Sequence, residues 1–318
     1  VSVVDPRRAE GLRSRLTVVR DRIVMAARAA GRDPEDLTLI AVSKTWPFED
    51  VVALCSLGVR HFAENREQEA GPKVEAVRRV LATLPALSAA PGPGNAGAGN
   101  RPPTGRITLA GPPDGAWFPS RADGLATLGS AVRVDVPVWH YVGQLQRNKA
   151  RSVAGWAHCV QSVDRVRLAE TLSRVATESG STIAVCIQVS LDRVGDVAVP
   201  SVATVDKAFP TRENSAASPP VAAERGGARP EDVPALAELV ARAPGLVLAG
   251  VMAVAPRGVP PRPAFARLRV VSERLRGDFP EATMVSAGMS SDLEDAIAEG
   301  ATHLRIGTAL FGERHGVP

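Results

Sequence analysis

The chain has 318 residues, 45% hydrophobic and 23% charged, with a formal charge of +4. Such a chain can bury a large core without disulfides or metals. Its length suits one α/β barrel, which runs to roughly 250 residues before insertions. Lys and Arg are scattered, with no concentrated basic run, which argues against a nucleic-acid-binding face. No window approaches the roughly 18 apolar residues of a membrane helix.

The first residue is Val1, and VSVVDPRRAEGLRSRL has no apolar stretch suited to a signal peptide. Cys55, Cys159 and Cys186 are odd in number and widely spaced, so neither a disulfide framework nor a zinc site is suggested. That usage fits a reducing cytosol, and a cytoplasmic location is expected.

An opening helix is expected over residues 6–30, where Leu12, Leu16, Val19 and Ile23 share one face. Gly31 then ends it in the C′ position. After it the chain alternates between short apolar runs and helical patterns. Strands are expected at 37–43, 60–64, 138–142, 158–161, 182–189, 246–254, 283–286 and 303–306. Helical patterns between them include 67–80, 164–178, 234–243, 263–275 and 291–298. Most of these strands are continuously apolar, as in a parallel sheet buried on both faces. Eight strand–helix repeats with no second-domain candidate favour a single closed (β/α)₈ barrel over an open doubly wound sheet.

Two stretches break the pattern. Residues 82–136 are rich in Ala, Gly and Pro and are expected to be a flexible insertion on the N-terminal face of the barrel. Residues 193–227, with TRENSAASPP inside, follow a strand and are expected to be a flexible insertion on the C-terminal face. Barrel active sites lie on that face, so the second stretch is a candidate cover for a site, although a passive loop fits equally well.

Chemistry-bearing residues gather at the C-terminal ends of the strands. Lys44 directly follows strand one, where partial burial of its stem favours a neutral amine that attacks carbonyls. A Lys snorkelling to solvent is the competing reading. Strand two ends in Glu64-Asn65, a pair able to orient a neighbour and to hydrogen-bond a ring oxygen. Strand seven runs into Ser286-Ala287-Gly288-Met289-Ser290-Ser291-Asp292, and strand eight into Arg305-Ile306-Gly307-Thr308-Ala309. Both are turns in which backbone N–H groups can converge on a phosphate, and barrels often build phosphate sites after strands seven and eight. Closure makes strands eight and one neighbours. A phosphorylated aldehyde would span Lys44 and these turns. Pyridoxal 5′-phosphate fits, and so does a sugar-phosphate aldolase using a Schiff-base Lys.

Seven segments, in order, carry a resemblance: IAVSKTWP, HFAENREQEAGPKV, WHYVGQLQRNK, CVQSVD, CIQVS, GVMAVAP and VSAGMSSDLEDAIAEGATHLRIGTALFGER. The chain resembles the pyridoxal phosphate homeostasis protein family, itself similar to the fold-type III barrel of alanine racemase. The resemblance spans the chain apart from the two insertions and the extreme N-terminus. It implies a cofactor, pyridoxal phosphate, held as a Schiff base on Lys44 and contacted by Asn65. It further implies phosphate binding by Ser286, Gly288, Gly307 and Thr308, with Arg305 facing the pyridine nitrogen. A cation there keeps that nitrogen unprotonated and the ring a poor electron sink. Ala63 and Ala287 depart from the family's usual Gly and Met, without touching Lys44 or the turns.

The resemblance favours a binding and homeostasis protein without established catalytic turnover, with apo-enzymes that use pyridoxal phosphate as candidate partners. The alternative is an amino acid racemase or related fold-type III enzyme. Racemisation needs a base on each face of the substrate. In alanine racemase the second base is a Tyr from a separate β-domain, whereas this sequence ends soon after strand eight. Tyr141, the single tyrosine, is expected in the core. A monomer is expected, with neither nucleic acid nor membrane as partner. His140 is read as a satisfied core residue. His61 and His303 are read as strand-start residues away from the site, and Lys149 and Arg151, at the site-face loop, fit a phosphate or partner contact and a solvated loop charge equally well.

Overall fold

The structure, a computed structural model, describes residues 4–83, 136–191 and 226–313. Eight strands alternate with helices: β1 (Thr38–Val42), β2 (His61–Glu64), β3 (Val138–Tyr141), β4 (Cys159–Val163), β5 (Ile183–Gln188), β6 (Leu246–Met252), β7 (Met284–Ser286) and β8 (His303–Ile306). They form a closed barrel in chain order, and each pairing is parallel. The expected (β/α)₈ fold is therefore what the chain adopts. The insertions expected at 82–136 and 193–227 lie, apart from their first or last residues, outside the described residues.

Strand side chains alternate in direction, so a strand buried on both faces feeds two separate apolar layers. Ile40, Val42, Ala63, Cys159, Ala184, Cys186, Met252 and Met284 pack together in the lumen. Their sequence neighbours Ala41, Phe62, Val160, Val185, Val251 and Val285 pack outward against the helices. Cys159 and Cys186 are free and buried, as small hydrophobes.

The outer ring consists of α1 (Pro6–Ala29), α2 (Phe48–Ser56), α3 (Glu67–Thr83), α4 (Ala150–Ala154), α5 (Val166–Ser179), α6 (Val233–Arg242), α7 (Arg262–Asp278), α8 (Leu293–Ala298) and α9 (Thr308–Phe311). Helix α1 lies outside the repeat. It buries Leu12, Leu16, Val19, Ile23 and Ala27, and Asp5 caps its start by accepting from the Arg7 N–H. Gly31, at φ +66°, takes the left-handed turn after it. Contacts of α1 with α2, α8 and α9 place it over the seam where β8 meets β1. Arg8 fastens its beginning. The guanidinium holds buried Asp50 (Nη2–Oδ2 2.5 Å), donates to the Phe311 carbonyl (3.0 Å) and lies over the Trp46 ring. Trp46 in turn stacks on Phe311. Among the described residues no helix is long and apolar enough to cross a membrane.

Candidate functional site

Alternation decides which residues share the lumen. Lys44 stands two residues beyond lumen-facing Val42, Asn65 two beyond Ala63, and Ser286 and Gly288 two and four beyond Met284. Arg305 and Gly307 stand two and four beyond His303. Six of the seven residues singled out in the sequence thus have the same parity at the same mouth of the barrel.

Lys44 lies in a turn closed by the Trp46 N–H on the Ser43 carbonyl (3.0 Å). Thr45 takes φ +65°, a conformation that costs a β-branched residue about 1–2 kcal/mol. The Lys44 side chain is half-buried, and its ammonium makes no hydrogen bond or ion pair with a described residue. A buried trio sits behind it. Lys73 Nζ reaches Glu64 Oε1 (2.6 Å) and the Ser43 carbonyl (2.7 Å), while Ser43 Oγ donates to the same Glu64 oxygen (2.7 Å). Burial pushes the Glu64 carboxyl above the usual carboxylate range, and Lys73 and Ser43 pull it back. The trio ties the ends of β1 and β2 together immediately before Lys44.

Asn65 is half-buried, and its amide oxygen is buried without a hydrogen-bond donor. Gly143 keeps this corner tight: a Cβ there would stand 2.2 Å from the Asn65 carbonyl oxygen. Ala63 sits in β2 at negative φ and is fully buried without strain.

The two turns after β7 and β8 meet. Ser290 Oγ accepts from the Ala309 N–H (3.2 Å), and Met289 N–H is capped by Asp292 (2.6 Å). The backbone N–H groups of Ser290, Ser291 and Thr308 donate to no acceptor among the described residues. Gly288 is obligatory, because φ is +87° and a Cβ would approach Ala296 Cβ to 2.7 Å. Gly307 is different. A Cβ there would meet only Val42, at ordinary contact distance, so its missing side chain leaves room at the cradle rather than relieving a clash. Helices α8 and α9 have six and four residues, so the donors of the turns, not a long helix dipole, make this corner attractive to an anion.

Ser286 and Arg305 lie deeper. Arg305 donates through Nη1 to the Ser286 carbonyl and hydroxyl (both 2.7 Å) and through Nη2 to the Ala253 carbonyl (2.8 Å). Burial lowers its guanidinium to about 10, so it remains cationic at neutral pH. Its Nε–H and second Nη2–H have no acceptor among the described residues. Ser286 is thus brought to Arg305, while Ser290 is the hydroxyl at the turn. Sequence reading passed over Ser290 as part of a small-residue run. The Lys73–Glu64 pair was equally unmarked, because α3 supplies Lys73 from outside the strand ends.

The remaining readings resolve simply. Tyr141 is buried outside the lumen, against Trp156, with its hydroxyl 3.5 Å from two carbonyls. Lys149 pairs with Glu67 (3.4 Å), and Arg151 with Glu178. His61 and His303 do stand at the strand starts, but they face inward and join the polar lumen. Among the described residues no group of three or more His, Cys, Asp or Glu could hold a metal ion.

An amine without a partner among the described residues, two turns with unengaged N–H groups and a buried cation thus meet at one mouth of a barrel of the alanine racemase type. The alanine racemase N-terminal domain family matches residues 221–315. An alanine racemase from Clostridium difficile superposes with TM-score 0.54 at 11% identity, over 97% of this chain and 57% of that one, which speaks to fold alone. A Mycobacterium tuberculosis protein named pyridoxal phosphate homeostasis protein is 33% identical, over 97% of this chain and 95% of its own length. A Pseudomonas aeruginosa protein of the same name is 34% identical, over 94% and 95%. The chain belongs to the pyridoxal phosphate homeostasis protein family. PipY of Synechococcus elongatus, solved with pyridoxal phosphate bound, superposes with TM-score 0.59 at 26% identity, over 95% of this chain and all of that one.

Proposed function

We propose that this chain binds pyridoxal 5′-phosphate at the C-terminal mouth of the barrel, bonded covalently to Lys44, and acts in the homeostasis of that cofactor. The carrying observation is the unengaged Lys44 amine at the same mouth as two turns in which the N–H groups of Ser290, Ser291 and Thr308 have no acceptor among the described residues. The donor set fits the cofactor group by group. Ser290, Ser291 and Thr308 offer N–H groups to a phosphate, with Gly288 and Gly307 shaping the cradle. Asn65 offers a buried oxygen that lacks a donor. Arg305 offers hydrogens only, so it suits an unprotonated ring nitrogen and disfavours a protonated one. Ser286 supports this site by holding Arg305.

When bound, pyridoxal phosphate supplies an electrophilic aldehyde. Lys44 contributes the amine that captures it. The turns neutralise phosphate charge through hydrogen bonds, and the Lys73–Glu64–Ser43 trio fixes the turn that carries Lys44. Holding the aldehyde on a protein amine keeps its free concentration low. A cytoplasmic monomer that passes the cofactor to apo-enzymes is the reading we adopt, with sedimentation and transfer to an apo-enzyme as its checks.

The decisive experiment mixes the purified protein with pyridoxal phosphate, records the visible spectrum, reduces with borohydride and maps the adduct. A cofactor band and a stable adduct on the Lys44 peptide, absent in Lys44→Ala, are expected. No band and no adduct in the unaltered protein would sink the proposal.

A further inference from the structure

The lumen holds a line of hydrogen bonds that cofactor capture does not itself require. Arg305 Nη1 donates to Ser286 Oγ (2.7 Å), and Ser286 Oγ donates to Gln161 Oε1 (2.7 Å). Gln161 Nε2 meets His140 Nδ1 (2.9 Å), and His140 Nε2 meets His61 Nδ1 (2.9 Å). Every member is buried, and Gln161 and His140 are entirely so. The Gln161–Ser286 contact crosses the lumen between β4 and β7, which do not pair.

Donor counting gives the line a direction. Arg305 can only donate, so Ser286 Oγ accepts from it and sends its own hydrogen to Gln161 Oε1. That choice turns the Gln161 amide so that Nε2 faces His140, whose Nδ1 must then accept. Burial holds His140 well below the usual histidine range, so the ring is neutral and its one hydrogen sits on Nε2. It donates to His61 Nδ1, whose ring is likewise neutral, with burial lowering it to about 4. All donors thus point from the cation toward the strand starts.

We propose that Gln161 is a positioning residue for the ring end of the site, fixing Ser286 and through it the orientation of the Arg305 guanidinium. The proposal rests on the cofactor reading above. Without the Gln161 oxygen, the Ser286 hydroxyl loses its acceptor and is free to turn. One of the two acceptors that hold Arg305 Nη1 then becomes variable. The N–H groups left for the ligand lose their fixed direction, although Lys44 and the phosphate turns are untouched.

The test has a cofactor-free arm and a loaded arm. In the cofactor-free protein, long-range ¹H–¹⁵N spectra of the histidine rings should show His140 and His61 protonated on Nε2 only. Gln161→Glu removes the amide donor, so the His140 hydrogen should move to Nδ1. In the loaded arm, Gln161→Leu should bind pyridoxal phosphate roughly tenfold more weakly and shift its absorption band. Its borohydride adduct on Lys44 should still form at saturation. A His140 proton on Nδ1 in the unaltered protein overturns the direction of the line. Unchanged affinity and spectrum in Gln161→Leu, with the adduct present, overturn the positioning role. An adduct missing from the unaltered protein overturns the cofactor reading and with it the role of Gln161 toward the ring. If Gln161→Leu does not fold, the affinity and spectrum of Gln161→Ala, which removes the same oxygen without adding a branched side chain, decide in its place.

Discussion

Replacing Lys73 by Met removes the only cation bonded to Glu64 among the described residues, and Glu64 is a carboxyl with no exposed surface. Side-chain volume is nearly conserved, so cavity formation contributes little. The loss is electrostatic: one side of a buried pair is left behind, which costs about 3–5 kcal/mol. Part of that cost is relieved if Glu64 takes up a proton, and this gives the prediction a pH signature. The folded-state value of Glu64 already lies above its ordinary 4.5 because of burial. Between those two values the folded chain binds more protons than the unfolded one, so the contribution of Glu64 to stability falls as pH rises. Removing Lys73 lifts the folded value further. The gap between Lys73→Met and the unaltered protein should therefore be about 3 kcal/mol or more at pH 8 and should narrow toward pH 6. The narrowing is limited to about 1.4 kcal/mol per pH unit. Urea unfolding at both pH values, analysed for midpoint and slope, measures this. Adding Glu64→Gln to the same chain should recover much of the loss, because Gln still accepts from Ser43 Oγ. A gap below about 1 kcal/mol at pH 8, or one that widens on acidification, would refute the account of the trio.

Three further outcomes follow from other parts of the barrel. Burial lowers His61 and His158 to about 4 and His303 to about 3. The unfolded chain therefore protonates first, and the stability present above pH 6.5 is lost as pH falls toward 4 and then 3. At pH 5.5 the three together should cost about 4 kcal/mol relative to pH 7.5, so denaturant midpoints that do not move would contradict the buried, neutral assignment. Gly288→Ala combines a left-handed backbone with a 2.7 Å approach to Ala296 Cβ, and should cost about 2–4 kcal/mol in chemical unfolding and weaken phosphate binding. Arg8→Ala leaves Asp50 buried without its guanidinium, though Asp50 keeps the favourable start of α2. A loss of about 2 kcal/mol is expected, with a change in Trp46 fluorescence as the stacked cation leaves.

The strands were legible because burial on both faces writes continuous apolar runs, and β8 begins and ends where its run does. Once strand ends are known, counting by twos places Lys44, Asn65, Ser286 and Arg305 at one mouth without further information. Helix α2 was not picked out, since six residues in a row from Asp50 to Cys55 are buried and leave no one-sided stripe for periodicity to detect. The lumen line was hidden for another reason. His140 alone reads as a satisfied core residue and His61 as a strand-start residue away from the site, while Gln161, beside Ser162 in an apolar strand, carries no reading of its own. Only the register across β2, β3 and β4, with the approach of β7 across the lumen, shows that they satisfy one another. Ser290 was obscured by the residues around it, and the reach of its hydroxyl to Ala309 becomes apparent only when the two turns are seen side by side.

Pairing of β8 with β1 joins the two ends of the described chain. Lys44 is synthesised early, whereas the turns at 288–290 and 307–309 come last. A growing chain that has emerged through β6 carries the amine without either turn. It has nothing to grip a phosphate with, and its amine is no more selective than any surface lysine. The site is assembled only when His303–Ile306 docks against Thr38–Val42. On the proposed reading, capture of the ligand is thereby reserved for chains whose seam has closed, and a ligand held there opposes reopening of the seam between β1 and β8.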